Sequence, residues 1–344
     1  MASIHRIIRT ILLIGILSIF FCTFLAVGGY FYLNAPPRTF IGESISFEVH
    51  KGESAMSVGK RLQEKGIIKD RRFWYLLSRL EKNHIKAGIY DLQLPATQRD
   101  IHAMFLEGAK PILQRVTIPE GVTLKKIAQL LDNAAICSEE DFLAAASDRE
   151  ILEAYNIPGE TMEGFLFPDT YLFPHNYPAN LVVKAMADTF FRRLVELYPS
   201  ALDLSPEELF KKVTLASIVE REYRISDEAS IMAGVFYNRL NIKMPLQSCA
   251  TVEYVITEIL GKPHPKVIYT RDTQIKNPYN TYMVSGLPPG PISAPGIVAL
   301  NAVFNPTKNE YLYFRLIDSS AGKHYFSKTY DDHIKAGTLY VKGS

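Results

Sequence analysis

From Ile11 to Leu33 the chain runs for 23 residues without a charged side chain, and Ile, Leu and Phe dominate the run. As a helix it is about 35 Å long, enough to cross the hydrocarbon core of a bilayer. A run of this kind is either a membrane span or the apolar part of an export signal, and both send the rest of the chain out of the cytoplasm. Arg6 and Arg9 precede it, and Arg38 follows only after Asn34-Ala35-Pro36-Pro37. The bias of positive charge toward the cytoplasmic side places the N-terminus inside. Ala26-Val27-Gly28 is a weak cleavage site, but the apolar run continues beyond it, which favours an uncleaved anchor. The expectation is a cytoplasmic tail (1–10), one span of the cytoplasmic membrane (11–33) and a working part outside.

The other 300 or so residues have an ordinary globular mix, 47% hydrophobic and 22% charged over the whole chain of 344 residues, enough for two or three units with cores of their own. Lys+Arg is 38 and Asp+Glu is 36, a net of +2, which gives no basic excess for nucleic acid. The three cysteines form no CxxC or Cys/His cluster, so no structural zinc is expected. Cys22 lies in the apolar run behind Ile19-Phe20-Phe21, unlike a lipoprotein processing site. Cys137 and Cys249 are expected as free thiols, with a bridge left open by an oxidising compartment. Neither HExxH nor GxSxG occurs, which removes the common metallopeptidase and serine-hydrolase readings.

Behind the anchor the sequence repeats itself at an offset of 69 residues. Phe47-Glu48-Val49-His50-Lys51-Gly52-Glu53-Ser54 aligns with Val116-Thr117-Ile118-Pro119-Glu120-Gly121-Val122-Thr123. The match continues through Val58/Ile127, Leu62/Leu131, Ile67/Ile136 and Phe73/Phe142. Each copy reads as a strand, a glycine turn and a Ser or Thr N-cap that opens an amphipathic helix. The buried stripes are Ala55, Val58 and Leu62 in one copy and Leu124, Ile127, Ala128 and Leu131 in the other. Further helices are expected after Lys69-Asp70-Arg71 and Ser138-Glu139-Glu140-Asp141. The arrangement resembles the LysM module, a small unit that binds N-acetylglucosamine polymers, on Val49, Gly52, Ser54, Val58, Leu62 and Ile67. A plain βα scaffold that holds the next domain fits the same pattern.

Chemistry-bearing residues gather in the second half. Ser205-Pro206-Glu207-Glu208 opens a helix, with an N-cap, a proline in the first turn and carboxylates near the positive end. Leu215, Ile218 and Val219 continue at i+7 to Glu222, so a carboxyl ends an apolar stripe. Desolvation there raises its pKa, as a general acid for a glycosidic oxygen requires. Glu220 lies about 200° round the helix and is expected as a supporting or exposed residue beside a basic side chain. A solvated helix end would also read Glu220-Arg221-Glu222. The stretch from Asn277 to Gly296, dense in glycine and proline, is expected as loops around a site. Within it and before it, Asn280, Tyr282 and Gln247 carry groups suited to acetamido sugars.

Five strings, Glu163-Gly164-Phe165-Leu166-Phe167-Pro168-Asp169-Thr170-Tyr171, Ala216-Ser217-Ile218-Val219-Glu220-Arg221-Glu222, Phe236-Tyr237-Asn238-Arg239-Leu240, Asn280-Thr281-Tyr282 and Gly286-Leu287-Pro288-Pro289-Gly290-Pro291-Ile292, resemble the endolytic murein transglycosylase (YceG-like) family in this order, over residues 44 to 335. The resemblance implies a lyase that cuts within peptidoglycan strands and leaves 1,6-anhydro-N-acetylmuramyl ends. It places the catalytic carboxyl on Glu222. Beside it, Gln247, Asn280, Tyr282 and Glu163 are expected as substrate-binding residues, with Glu220 and Asn238 in support. The resemblance implies no metal or other cofactor, glycan strands as partner, and cell-wall synthesis enzymes as further partners. Two departures stand out: Cys249-Ala250 where the family usually has Asp-Pro, and bulky Tyr223 after the catalytic glutamate.

The expected architecture is α+β: a transmembrane helix, a duplicated LysM-like βα region over 44–149, and a mixed α+β catalytic domain over 150–344. A muramidase-type hydrolase would need a second carboxylate, for which Asp169 is the candidate. A non-catalytic glycan-binding scaffold would use the duplicated module alone. The charge bias around Ile11–Leu33 is testable directly. A reporter that works only outside the cytoplasm, fused after Ser344, should be active; activity from a cytoplasmic reporter at that position instead would reverse the topology.

Overall fold

A computed structural model describes residues 2–37, 44–81, 84–109 and 113–337. It opens with helix α1 (Ala2–Asn34), within which Arg9–Asn34 has a mean hydropathy of 2.7 and presents its apolar side chains outward. Among the described residues this is the one helix long and apolar enough to cross a membrane.

The chain divides into two units between Pro111 and Ile112. In the first, β1 (Ser44–Val49) leads through α2 (Ala55–Glu64) and α3 (Arg71–Leu80) to β2 (Gly88–Gln93), and α4 (Gln98–Glu107) closes it. The strands β1 and β2 pair antiparallel, Phe47 opposite Tyr90. Phe47, Val58, Leu62, Trp74, Leu92, Ile101 and Phe105 make the core. Trp74 donates its indole N–H to the Ala55 carbonyl at 3.0 Å and lies so close to Gly59 that a Cβ there would come within 2.5 Å of its ring.

The second unit begins with the same order: β3 (Leu113–Thr117), α5 (Leu124–Asn133), α6 (Glu139–Ala146), then the short α7 (Arg149–Ala154) and β4 (Thr170–Pro174), which pairs antiparallel with β3. Gly52 and Gly121 hold equivalent turns with φ of +79° and +73°, a left-handed geometry open to glycine. Ser54 and Thr123 then cap α2 and α5 by accepting the N–H three residues on. Leu124, Ile127, Ala128 and Leu131 are all buried, as the periodicity requires.

After β4 come α8 (Ala179–Leu197), α9 (Pro206–Glu222), α10 (Ser226–Asn241), α11 (Cys249–Tyr254), α12 (Ile297–Phe304), the hairpin β5 (Tyr313–Asp318) and β6 (Lys323–Ser327), and α13 (Tyr330–Ala336). Among the described residues the sheets are three separate antiparallel pairs, so this is α+β structure. The second repeat shares one hydrophobic core with these elements.

Helix α9 runs through the middle. Val213 to Val219 are buried without interruption, so the expected one-sided stripe is replaced by a helix covered on every side. One cover is the Gly/Pro-rich segment, which was expected as open loops. Residues 290–296 are instead buried. The Ile292 N–H reaches Ser217 Oγ at 2.9 Å, Ser293 Oγ donates to the Ser217 carbonyl at 3.0 Å, and Ala294 exchanges backbone bonds of 2.8 Å with Gly121 and Val122. The segment is a strap that ties the second repeat to α9. Pro291 and Pro295 ease this burial because proline has no backbone N–H that needs a partner.

Gly164 has a φ of +83°, and a Cβ there would overlap the Pro291 ring of the strap. Gly164→Ala should therefore cost about 2 kcal/mol or more. Thermal unfolding in detergent should show a melting temperature lower by about 4 °C or more; an unchanged midpoint would mean that the strap can yield.

Candidate active site

Helix α9 ends at Glu222, where Tyr223 turns to extended backbone with φ −69° and ψ 152°. The Glu222 side chain enters a cleft of about 410 Å³ walled by Leu246, Gln247, Cys249, Tyr282, the β5–β6 hairpin and α13. The wall is mixed and not simply apolar: Phe314 and Leu316 stand beside Arg239 and His324. Among the described residues, Glu222 is the one carboxyl that lines it.

Burial pushes the Glu222 pKa above the usual carboxylate range, because the low-dielectric site disfavours the anion. Opposing it, in order, are a hydrogen bond from Ser248 Oγ, one from the Ala250 backbone N–H, and the charges of His324 and Arg221. Ser248 and Ala250 open α11, whose first N–H groups have no partner within the helix.

His324 is fixed from α10. Glu228 accepts the His324 backbone N–H with both oxygens at 3.1 Å and lies 2.7 Å from Nδ1. This buried pair pins β6 to α10 beside the cleft. Arg239, also buried, donates to the carbonyls of Leu312 at 2.6 Å and Leu246 at 2.7 Å, so it clamps both cleft walls. Asn238 donates to the carbonyls of Asn309 and Tyr311, each at 2.9 Å, and holds the segment that enters β5.

Glu220 faces elsewhere. It accepts the Gly296 N–H at 2.8 Å and the Tyr223 hydroxyl at 3.3 Å, in place of the expected basic partner. Burial pushes its pKa up to about 7, against the Gly296 bond and with help from the charge of Glu120. It lies against the strap and does not line the Glu222 cleft. Tyr223 is therefore a cover for Glu220, and its bulk does not obstruct Glu222.

Of the residues expected to hold sugar, Gln247 and Tyr282 line the cleft. Asn280 does not: it is fully buried, its amide donates to the carbonyls of Thr273 and Ile275, and its oxygen accepts the Tyr282 N–H. Its polar atoms are used in shaping the loop that presents Tyr282. Glu163 is buried at the start of α5, where both oxygens accept the Leu124 N–H at 3.0 Å. Burial pushes its pKa up to about 8, opposed by that bond. It anchors the second repeat and is absent from the cleft wall. Asp169 accepts the N–H of Thr170 at 2.7 Å and likewise stands apart from the cleft.

Ser248, His324, Glu228 and Arg239 were not singled out from sequence. Ser248 is next to Gln247 and Arg239 next to Asn238, so local strings could have flagged both. Nothing local announces the Glu228–His324 pair, which is 96 residues apart. The three cysteines are free, and Cys249 Sγ lies 3.1 Å from the Tyr282 hydroxyl. No three His, Cys, Asp or Glu side chains among the described residues gather as a metal site.

Residues 47–338 match the model of the YceG-like family. The chain belongs to that family. It is 31% identical over 340 residues to the endolytic murein transglycosylase of Bacillus subtilis, covering 92% of this chain and 91% of the relative. It is 29% identical over 346 residues to the endolytic murein transglycosylase of Streptococcus pneumoniae R6, covering 91% of this chain. The match spans 62% of that relative's length. A crystal structure of a putative yceG-like protein from Listeria monocytogenes superposes with a TM-score of 0.57 at 31% identity, over 86% of this chain and 99% of that one.

Against the pattern usual in this family, Ala250 replaces a proline, and the difference has a chemical effect. Proline has no N–H, so the Ala250 bond to Glu222 is one that the usual residue cannot make. Proline fits the first turn of a helix, so Ala250→Pro should fold normally. Loss of a donor to the anion raises the pKa of Glu222 further. An NMR titration of labelled Glu222 should show an upward shift, and an unchanged or lower pKa would show that the Ala250 bond does not tune it.

Proposed function

We propose that this protein is a membrane-anchored lytic transglycosylase that cuts within peptidoglycan strands and leaves 1,6-anhydro-N-acetylmuramyl ends. The observation that carries this reading is the isolation of Glu222: one carboxyl in a cleft, held partly out of water, with no second carboxyl on the wall among the described residues. The names of the relatives from Bacillus subtilis and Streptococcus pneumoniae support it.

In this mechanism protonated Glu222 donates to the oxygen that links N-acetylmuramic acid to N-acetylglucosamine. The C1–O bond breaks, and the muramyl C1 becomes oxocarbenium-like, assisted by its own N-acetyl group. Glu222, now an anion stabilised by Ser248 and the Ala250 N–H, takes the proton from the muramyl C6 hydroxyl, whose oxygen closes onto C1. The nucleophile is part of the substrate and has a high effective concentration, so neither water nor a second carboxylate is required. A hydrolase would need a partner carboxylate at glycosidase spacing, and Asp169 is not in the cleft. Gln247 and Tyr282 contact the acetamido sugars, and Asn238, Arg239 and Glu228 with His324 position the walls.

Within the same reading, α1 holds the chain in the cytoplasmic membrane with the second unit outside, where nascent strands are made by synthesis enzymes that act as partners. The two βαα repeats act as LysM-like glycan-binding units.

Glu222→Gln keeps the shape of the side chain and removes the transferable proton. It should lower the yield of anhydro ends from purified peptidoglycan by about 10²–10⁴-fold, with circular dichroism unchanged. Glu220→Gln, which leaves an oxygen to accept the Gly296 N–H, should cost far less. Near-normal cleavage by a folded Glu222→Gln enzyme would transfer the role to another group. Reducing ends from the wild type, identified by mass, would make the reaction hydrolysis.

A further inference from the structure

A second cleft of about 530 Å³ adjoins the first, and Arg221 lines both. Its walls are the Gly121–Thr123 turn and α5 of the second repeat on one side, and α11 with the turns that follow it on the other. Lys125, Lys126 and Lys262 project from these walls and are exposed. The cleft also holds two carboxyls, Glu258 and Glu253; Glu253 is engaged twice, since it pairs with Arg221 and lies 2.6 Å from His264 Nε2. None of the three lysines has an acidic partner at ion-pair distance among the described residues. The Glu222 cleft carries Arg224 and Arg315 in the same condition.

The sugars of a peptidoglycan strand are neutral, with hydroxyl and acetamido groups throughout. The muramyl lactyl carboxyl is consumed in its amide to the stem peptide. The negative charge of a strand therefore lies in the carboxylates of its peptides. Unpaired ammonium groups add nothing for neutral sugars, and they suit a carboxylate by charge attraction and charge-assisted hydrogen bonds. An enzyme that cuts inside a strand must hold sugar on both sides of the broken bond. Glu222 and Arg221 are consecutive on α9 and face adjoining clefts, so the second cleft lies where the strand continues.

Resting on the reading of Glu222 given above, we propose that the cleft of Lys125, Lys126 and Lys262 is a subsite for the carboxylate-bearing stem peptide of a muramyl residue next along the strand. The protein thereby selects strands that carry peptides over strands stripped of them. Two of the three lysines stand on α5, which gives the second repeat a part in substrate choice through its helix.

The test measures binding, so that it is separate from the reaction. In full-length Glu222→Gln protein in detergent, Lys125, Lys126 and Lys262 are changed to Ala together. Affinity is measured for soluble strands with intact peptides and for the same strands after an amidase has removed the peptides and the lactyl carboxyls so freed have been capped as neutral amides. Binding to peptide-bearing strands should weaken about tenfold or more, with binding to stripped strands within twofold of the parent. The difference should shrink in high salt, which screens exposed charges, and replacement of all three lysines by Arg should preserve binding. Equal weakening on both strands, or none on peptide-bearing strands, overturns the proposal. So does loss of binding to vesicles of anionic lipid with strand binding unchanged, which would assign the lysines to the membrane surface. Should the triple Ala variant fold poorly, Lys125→Glu at its exposed position must show the same selective loss. Product analysis of the wild type decides the reaction independently: reducing ends there would remove the lyase and leave the peptide subsite standing.

Discussion

Seven successive residues of α9, Val213 to Val219, are buried, and a helix covered on all sides must have its last polar residues placed by what covers it. The strap supplies that cover. Ser217 accepts one strap N–H and offers its carbonyl to Ser293, and one turn later Glu220 accepts the Gly296 N–H. These bonds fix both the rotation and the axial position of α9 against residues 75 or more positions away. Glu222 then has one direction left, toward Ser248 and the cleft. The two glutamates are two residues apart and about 200° round the helix, which is why one is absorbed by the strap and the other is available to a ligand.

The environment of Glu222 combines opposing influences. Burial favours the neutral acid, whereas Ser248, the Ala250 N–H, His324 and Arg221 favour the anion. The proposed mechanism asks Glu222 both to give and to take a proton, which needs neither form to be overwhelmingly preferred. The donors belong to elements fixed independently: α11 carries Ser248 and Ala250, and Glu228 on α10 holds His324. Arg239 reaches the carbonyls of Leu246 and Leu312, so the two walls keep their separation through one guanidinium. Arg is suited to this because its planar donors bond several carbonyls at once and it remains charged when buried.

Much of the local structure was legible. Ser54, Thr123, Ser138 and Ser205 cap the helices expected of them, because a cap depends on three or four neighbouring residues. The 69-residue offset emerges as two strand–turn–helix segments, since Gly52 and Gly121 both need left-handed backbone. Glu222 was legible as the end of an apolar run. The stripe that suggested it was a partial view: periodicity reports one buried face, and it cannot distinguish that from a helix buried all round when small residues such as Ala216 and Ser217 fill the other face. Asn280 and Glu163 lie outside the cleft wall for a related reason. A polar side chain beside glycine and proline looks free to meet a ligand, yet buried backbone groups claimed both. The Glu228–His324 pair joins segments too distant for any local pattern to reveal.

That pair also orders events in time. A chain is made N-terminus first, so Glu222 exists before the β5–β6 hairpin that walls its cleft. His324 can be drawn to Glu228 only after about a hundred further residues have followed. Until that closure, the carboxyl faces bulk water: its desolvation is incomplete and its walls are missing. The cleft around Glu222 is thus completed only at a late step of folding, once the segment that carries His324 has been made and has reached Glu228.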